Sequence, residues 1–359
     1  MNEPKHYVDI KTDRKVYFDI VKGIAILLML WGHCVQYCSN GEFDFFENSV
    51  FRFIYSFHMP LFMLVSGYLF SFSCKKRNLS KLLIHKTQGL LQPIIMCTIF
   101  NYIVTEVFLK RHLTSIIGAG WLSSLGSLWF LWSVLASSII IAIAFKSSKK
   151  IFVRIVIAIA GFAFVSMFPN FDMNIYMYPY FLLGFVFAFV KDPLPRLVMN
   201  IRYASLIVFP IMLCFFEKKH YIYTTGIINK QYTILSLIEI NIYRWIIGLV
   251  GSVFVLVLVE LFVRFVYKYN FFIFIGNAIS ALGRKSLQVY CISVSLLSSL
   301  LSTVYPLICN KIGFNILSWN MTLYNFVFTP IIAIVYAVVL YYLVCLLEKV
   351  KIGKLLFGR

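Results

Sequence analysis

Charged residues are scarce in this sequence, and acidic residues are the scarcest of them. Only 13% of the 359 residues are charged, and Asp and Glu together number 14. About a quarter of a soluble globular domain is charged, so this chain has too few such side chains to cover a surface in water. Hydrophobic residues make up 61% of it, and its mean hydropathy is +0.85. These figures exclude a disordered chain, a collagen-like fibre and a disulfide-stapled secreted module, and they predict an integral membrane protein.

Paired cysteines are also missing. The eight Cys residues are scattered singly, mostly inside apolar runs, and no two of them form a Cys-x-x-Cys pair. Single cysteines inside apolar runs usually act as small hydrophobic residues within the membrane. We therefore expect neither a disulfide framework nor a metal site.

The charge balance is strongly basic, with 33 Lys and Arg and a net charge of +19. In a soluble protein this excess would indicate a nucleic-acid partner. In an apolar chain it indicates loops that face anionic lipid, so we expect the lipid bilayer, and no nucleic acid, as the partner of these cations.

Apolar runs of about 20 residues, the length that crosses a bilayer as a helix, recur along the whole chain. Ten are predicted: 18–38, 50–73, 91–109, 128–145, 151–168, 174–190, 203–216, 237–263, 286–308 and 323–347. Of these, 203–216 is short and 237–263 is long enough to be tilted or broken. The first run follows about 17 polar residues without a small-residue cleavage site, so we expect it to remain as a span. Short linkers and the absence of a 20–50-residue repeat predict one all-α membrane domain over residues 1–359.

The positions of Lys and Arg predict the orientation of this bundle. With ten spans, 24 of these residues fall in segments on the side of the N-terminus and 7 on the opposite side. Because cytoplasmic loops are enriched in Lys and Arg, both termini are expected in the cytosol. Residues 1–17 then form a cytosolic N-terminal segment and residues 348–359 a basic cytosolic tail.

The first span contains ionisable residues that cost about 2.5 kcal/mol or more at the middle of a membrane. Asp19 and Lys22 are three residues apart and can pair on a helix. Lys22 and His33 are eleven apart, almost three turns, so they share a face about 16 Å apart along the axis. Gly23 and Gly32 would let another backbone approach. The alternative is that Lys22 snorkels to the inner surface and His33 is a hydrogen-bonded core histidine.

The second span contains His58 close to Pro60, which removes a backbone donor and disturbs the helix there. His58 lies about eight residues from the outer end and His33 about five, which is roughly 12 against 8 Å. Two histidines at similar depth on consecutive antiparallel helices could face one cavity. The alternative is a structural histidine that caps the disturbed turn.

Further polar and aromatic residues have equally good structural explanations. Glu106, Glu239, Arg244 and Glu260 could pair between helices as readily as take part in catalysis. Trp129 and the aromatic residues after it could form an interfacial belt. The basic run that includes Lys81 and Lys86 could face lipid headgroups, or it could meet phosphates that enter from the cytosol.

Several short motifs resemble those of the acyltransferase-3 membrane acyltransferases. They are Asp19-x-x-Lys22-Gly23 with Gly32-His33, Phe57-His58-Met59-Pro60-Leu61-Phe62, Ser66-Gly67-Tyr68, Trp129-Phe130-Leu131, Tyr180-Phe181-Leu182-Leu183-Gly184 and Gly283-x-x-Ser286-Leu287-x-x-Tyr290. No single motif is specific. Their order and spacing, from residue 19 to about 290, carry the resemblance over most of the chain.

The resemblance implies a ten-helix bundle in the bacterial cytoplasmic (inner) membrane that O-acylates envelope molecules. The donor would be a cytosolic acyl-CoA, usually acetyl-CoA, and the acceptor a hydroxyl of a glycan or lipid-linked sugar on the far side. Lys22 and His33 match the family's essential basic residue and histidine. This chain departs from the family in having Lys22 where many members have Arg, Gly89 at the second place of a basic pair that begins at Lys86, and Ser293 where many have His.

These observations give a mechanistic hypothesis. Acyl-CoA phosphates would bind near Lys22, Lys81 and Lys86, with Trp129 also in the donor site, and the thioester would reach His33 inside one buried chamber. His33 would act as general base, or would first accept the acyl group itself. Asp19 would orient Lys22, and His58 would orient His33 or the acceptor.

Two functions of other classes remain open. One is a proton-coupled exporter or flippase of a glycan precursor that uses the same intramembrane charges. The sequence has no inverted repeat, and its polar residues concentrate in the first two spans, which disfavours transport. The other is a membrane partner that lends acyl groups to a separate transferase. No pattern in the outer loops selects an acceptor, and none indicates an oligomer.

Overall fold

The chain folds as a bundle of helices. The computed structural model describes residues 14–39, 41–108, 124–189, 196–269, 272–299, 301, 305–312 and 320–358, and these ranges contain no β-strand. Every cysteine whose side chain lies in them is a free thiol. The predicted all-α fold is therefore confirmed.

The first half of the chain contains eight helices within the described ranges. They are α1 (Arg14–Tyr37), α2 (Ser49–Tyr55), α3 (His58–Lys76), α4 (Leu79–Lys86), α5 (Gln92–Phe108), α6 (Trp129–Ser147), α7 (Ile151–Val165) and α8 (Phe171–Phe187). A π-helical turn, Thr87–Leu91, joins α4 to α5.

The second half mixes long spans with short helices. They are α9 (Arg196–Cys214), α10 (Ile222–Thr225), α11 (Ile234–Lys268), α12 (Ile273–Arg284), α13 (Ser286–Ser299), α14 (Tyr305–Ile312), α15 (Met321–Leu323), α16 (Thr329–Lys349) and α17 (Lys351–Phe357). A π-helical turn, Tyr324–Phe328, joins α15 to α16.

Six helical stretches among the described residues are long and apolar enough to cross a membrane. They are Val16–Tyr37, Ser49–Lys76, Leu79–Val104, Ser124–Ser147, Ile234–Val266 and Met321–Lys349. Shorter apolar helices occupy Ile151–Val165 and Asn200–Cys214. The protein is therefore a multi-pass membrane protein. Each of the ten predicted spans overlaps a helix, while the number of crossings and the orientation stay predictions.

Three helices differ from the sequence-based bounds. The span predicted as short is the 19-residue α9, which begins at Arg196. The span predicted as tilted or broken is α11, a continuous helix of 35 residues. At about 1.5 Å per residue α11 exceeds the roughly 30 Å hydrocarbon core, so it must tilt or project from the bilayer. The third, amphipathic α12, was not predicted because its 12 residues are too short and polar for a span.

Pro60 has the predicted effect on the second span. The helix is interrupted at Ser56 and Phe57, where α2 ends and α3 begins. Pro60 then lies in the first turn of α3, where its missing N–H would have had no helical partner. The interruption lets the His58 ring contact the carbonyl oxygen of Ile54, with Nδ1 at 2.9 Å.

Glycines bring helix backbones into contact at two crossings. On α1, a Cβ at Gly23 would lie 2.1 Å from the carbonyl oxygen of Ile279 in α12. Between α3 and α8, a Cβ at Gly67 would lie 2.0 Å from the carbonyl oxygen of Phe181. Only glycine permits these approaches, which confirms the close backbone predicted at Gly23. At Gly32 the close neighbour is instead the Tyr55 side chain.

Candidate functional site

The ion pair predicted on α1 is present. Lys22 Nζ lies 2.8 Å from Asp19 Oδ1, and both side chains are largely shielded from solvent. The pair forms because residues three apart on a helix are neighbours. It holds the ammonium group of Lys22 at the wall of a cavity.

This first cavity, which we call the inner cavity because it lies on the predicted cytosolic side, has a volume of about 280 Å³. Its walls come from α1, α3, α4, α6, α13 and the π-helical turn between α4 and α5. Lys22 and Lys86 are its cationic lining residues, and most of the rest are apolar. The Lys86 ammonium also lies 5.0 Å from the centre of the Phe70 ring.

A second cavity, the outer cavity, has a volume of about 290 Å³ and lies further along α1. His33 and His58 both line it, as their matched depths predicted. Trp129 lines this cavity and not the inner one. Lys81 lies on the exposed face of α4 and lines neither. The predicted donor residues are thus divided: Lys22 and Lys86 are brought together, while Trp129 and Lys81 lie elsewhere.

The two cavities adjoin. Met29, Met59 and Tyr290 line both of them, so these three side chains form the boundary between the inner and outer spaces. The boundary residues project from three helices, and the prediction of a single chamber stays a prediction. Lys22 and His33 still face a continuous series of cavities from one side of α1.

His33 is held by two polar side chains. Its Nδ1 lies 3.3 Å from Gln36 Oε1 and 3.1 Å from the hydroxyl oxygen of Tyr55. The side-chain amide oxygen of Gln36 can only accept a hydrogen bond. When the proton of the neutral imidazole is on Nδ1, that nitrogen therefore donates to Gln36 Oε1. In that tautomer Nε2 has the lone pair, which is the form a general base needs.

His58 is connected to His33 through one intervening side chain, that of Tyr55. Its Nδ1 donates to the carbonyl oxygen of Ile54, and its ring centre lies 4.6 Å from that of Tyr55. His58 therefore caps the interrupted helix, as the structural alternative proposed, and it also packs against the tyrosine that contacts His33. The structural role is confirmed by this contact, and a role in orienting His33 or the acceptor stays a prediction.

Sequence reasoning missed Gln36 and Tyr55. Gln36 follows His33 by three residues, and Tyr55 precedes His58 by three. Residues at this spacing share a helix face, so a search for polar partners around each histidine would have found both. Tyr223 and Ser293 also line the outer cavity. Tyr223 lies in the four-residue helix α10, which is too short for a helical period to have indicated it.

The other intramembrane charges have mainly structural partners. Glu260 pairs with Arg202, at 2.7 Å, and with Arg264. Glu239 is exposed at the start of α11, and the side chain of Glu106 lies outside the described residues. Arg244 is buried against backbone carbonyl groups. In the described ranges, no three His, Cys, Asp or Glu side chains are grouped as metal ligands would be.

Comparison with known proteins places the chain among acyltransferases. No solved structure matches it. Nodulation protein NolL from Mesorhizobium japonicum is 33% identical over 181 residues, 49% of this chain and 48% of that protein. Nodulation protein NolL from Sinorhizobium fredii is 33% identical over 220 residues, 57% of this chain and 58% of that protein. The chain thus matches about half the length of these curated relatives. The acyltransferase domain model of the acyltransferase-3 family matches residues 15–347, so the chain belongs to that family.

Proposed function

We propose that this protein is a membrane O-acyltransferase of a bacterial cytoplasmic membrane. It moves an acyl group, acetyl in the simplest case, from cytosolic acyl-CoA to a hydroxyl of an envelope glycan or lipid-linked sugar. The observation that carries the proposal is the pair of adjoining cavities, one with two lysines and the other with a histidine held by polar partners. Family membership supports the acyl-transfer chemistry.

The donor would enter the inner cavity. Lys22 and Lys86 supply the positive charge that its phosphates need, and the apolar walls suit the uncharged arm that carries the thioester. Asp19 keeps Lys22 against the wall and halves the local positive charge. From the level of Lys22 to that of His33 the arm must rise about 16 Å along α1. It therefore has to pass the boundary formed by the three shared residues.

The reaction would take place at the boundary and on its outer side. His33 Nε2 removes the proton of the acceptor hydroxyl as its oxygen attacks the thioester carbonyl. The new C–O bond forms, the C–S bond breaks, and the proton passes from the imidazolium to the leaving sulfur. Donation from Nδ1 to Gln36 would favour the required tautomer, while Tyr55 contacts the same nitrogen and His58 packs against Tyr55.

A second route uses the same nitrogen as a nucleophile. The acyl group would pass first to Nε2 and then to the acceptor, with free CoA released before the acceptor reacts. Rapid quenching without acceptor separates the two routes. Stoichiometric CoA release and an acyl-protein adduct would support the second.

The transport alternative keeps some support from the same geometry, because two cavities in series along one helix would also suit a substrate pathway. A transporter would carry the intact precursor across and leave the thioester of acetyl-CoA uncleaved. Cleavage of acetyl-CoA coupled to a mass gain in the acceptor therefore separates the two functions.

The test uses membranes that contain the protein, isotopically labelled acetyl-CoA and the cells' own envelope glycans, analysed by mass spectrometry. We expect a mass increase of one acetyl group with the parent protein and none with His33→Ala. His85→Ala is the matched control, because His85 is exposed on α4 and lines neither cavity. Parent-level transfer by His33→Ala would remove the catalytic assignment, and no transfer by the parent would overturn the proposed function.

A further inference from the structure

A segment between α9 and α11, residues 217–227, contributes Tyr223 to the wall of the outer cavity. We call it the strap. It contains a 3₁₀ turn, Lys218–His220, and the short helix α10, and it ends near Gly226, whose φ of +66° suits glycine. Tyr223 projects from α10 and lines the outer cavity. The Tyr223 ring centre lies 6.1 Å from that of Tyr55 and 6.2 Å from that of Trp129.

Arg244 of α11 fixes the strap from below. Its side chain is almost fully buried, and all five of its N–H donors are used. Nε donates to the carbonyl oxygen of His220, Nη2 to those of Lys219 and Tyr221, and Nη1 to that of Gly226 and to Asn241 Oδ1. With no donor left for a substrate, Arg244 positions the strap.

Other contacts tie the strap to the walls of the outer cavity. The hydroxyl group of Tyr221 donates to the carbonyl oxygen of Phe46, which itself lines that cavity. The N–H of Ile227 donates to Asp172 Oδ1, and Lys218 pairs with Asp44. The strap is therefore connected both to the segment before α2 and to α8.

His220 is part of the same arrangement. Its Nδ1 accepts a hydrogen bond from the N–H of Glu217 at 2.8 Å, so this nitrogen is unprotonated in the folded strap. Burial of the ring lowers the pKa of His220 from 6.5 to about 4. The strap is thus built around a neutral histidine and a charged, fully bonded arginine.

The Tyr223 hydroxyl has no hydrogen-bond partner among the described residues, whereas the tyrosines at 180, 221 and 243 each donate to a backbone carbonyl oxygen. An aromatic ring over a cavity, with its hydroxyl available, suits a ligand that has both C–H faces and hydroxyl groups. This chemistry matches a sugar better than an acyl thioester, whose reactive end has no donor.

We propose that the strap forms the outer wall of the acceptor site, with Tyr223 as an acceptor-contacting residue and Arg244 as the positioning residue that holds it there. The inference rests on the proposed function and adds a specific recognition element to it. It assigns to the strap a role in acceptor binding and none in donor binding.

The first test measures acetyl transfer against the concentration of a total envelope glycan extract and, separately, of acetyl-CoA. Tyr223→Ala should raise the apparent KM for the extract at least about fivefold and leave that for acetyl-CoA unchanged. Tyr223→Phe should recover most of the loss. Tyr232→Ala is the matched control, because Tyr232 lies outside the strap and lines neither cavity.

The second test separates positioning from simple destabilisation. Arg244→Lys offers three donors in place of five. It should raise the KM for the extract in the same direction as Tyr223→Ala, and the double variant should be little worse than the poorer single variant. A general loss of folding would instead lower the rate whichever substrate is varied, and the effects of the two substitutions would multiply in the double variant.

A third measurement probes the location directly. In a Cys214→Ser background, which removes an exposed native thiol, the Tyr223→Cys variant is treated from outside with a membrane-impermeant thiosulfonate reagent. We expect transfer to fall at least about tenfold, with acetyl-CoA binding retained and the Tyr232→Cys variant unaffected. If the parent transfers acetyl groups but Tyr223→Ala keeps both KM values and the treated variant stays active, the strap inference is wrong. If the parent transfers none, the proposed function itself fails.

Discussion

The sharpest prediction concerns the partners of His33. Gln36→Leu keeps the size and helical preference of residue 36 but removes Oε1, which lies 3.3 Å from Nδ1. Tyr55→Phe removes only the hydroxyl 3.1 Å from the same nitrogen and leaves the ring stacked on Phe51 at 3.8 Å. A neutral hydrogen bond contributes about 0.5–1.5 kcal/mol net, which corresponds to about two- to tenfold in rate.

The two changes should not be equal. If Nδ1 donates to Gln36, then Gln36→Leu also lets the proton move to Nε2, and the base is lost in part of the population. We therefore expect kcat to fall about tenfold or more for Gln36→Leu and less for Tyr55→Phe, with the KM for acetyl-CoA little changed in both. The assay is steady-state CoA release with a saturating envelope glycan extract. Parent-like kcat in Gln36→Leu would refute the tautomer argument, and a larger loss in Tyr55→Phe would make the tyrosine the controlling partner.

Further predictions concern the donor site, the helix crossings and the strap. Lys22→Ala should raise the KM for acetyl-CoA and leave the acceptor KM unchanged. Lys76→Ala, at an exposed position of α3, should change neither KM. An effect of Lys22→Ala confined to the acceptor KM would contradict the phosphate role. Gly67→Ala should cost about 1–3 kcal/mol of stability and lower the melting temperature, because the new methyl group meets a backbone carbonyl, while Gly89→Ala, with open space around it, should not. Because the folded pKa of His220 lies below 6.5, acidification charges the unfolded strap first, so its stability is complete above about pH 6.5 and declines towards pH 4. Hydrogen exchange of the strap amides should follow that window, and flat protection between pH 7 and 4 would count against it.

The local features of the site could be predicted from the sequence. Helical geometry within one segment explains the Asp19–Lys22 pair, the shared face of Lys22 and His33, and the interrupted helix at Pro60. Each of these features therefore appears in the sequence as a spacing between residues. The overlap of all ten apolar runs with helices has the same origin, since a bilayer imposes length and hydropathy on each span separately.

Features that depend on contacts distant in the chain were not predictable in the same way. Tyr55 meets His33 across 22 positions, and Arg244 meets the strap 18 to 25 positions away. The boundary between the two cavities depends on side chains from α1, α3 and α13. Hydrophobic periodicity describes one helix at a time, so it indicated which residues face inwards but not which of them line both cavities.

The boundary at Met29, Met59 and Tyr290, where the two cavities adjoin, has a consequence for the proton gradient across the membrane. A water-filled channel open from the cytosol to the exterior would dissipate the proton gradient, because a continuous row of hydrogen-bonded water molecules conducts protons. The two thioether groups and the phenol ring at the boundary offer few hydrogen-bonding sites to a row of water molecules. Methionine side chains are flexible, however, and can move aside for a small acyl group. If the proposed function holds, an acyl group would pass this boundary without an open path for protons, and an increased proton leak in the Met59→Gly variant would show that the boundary limits that path.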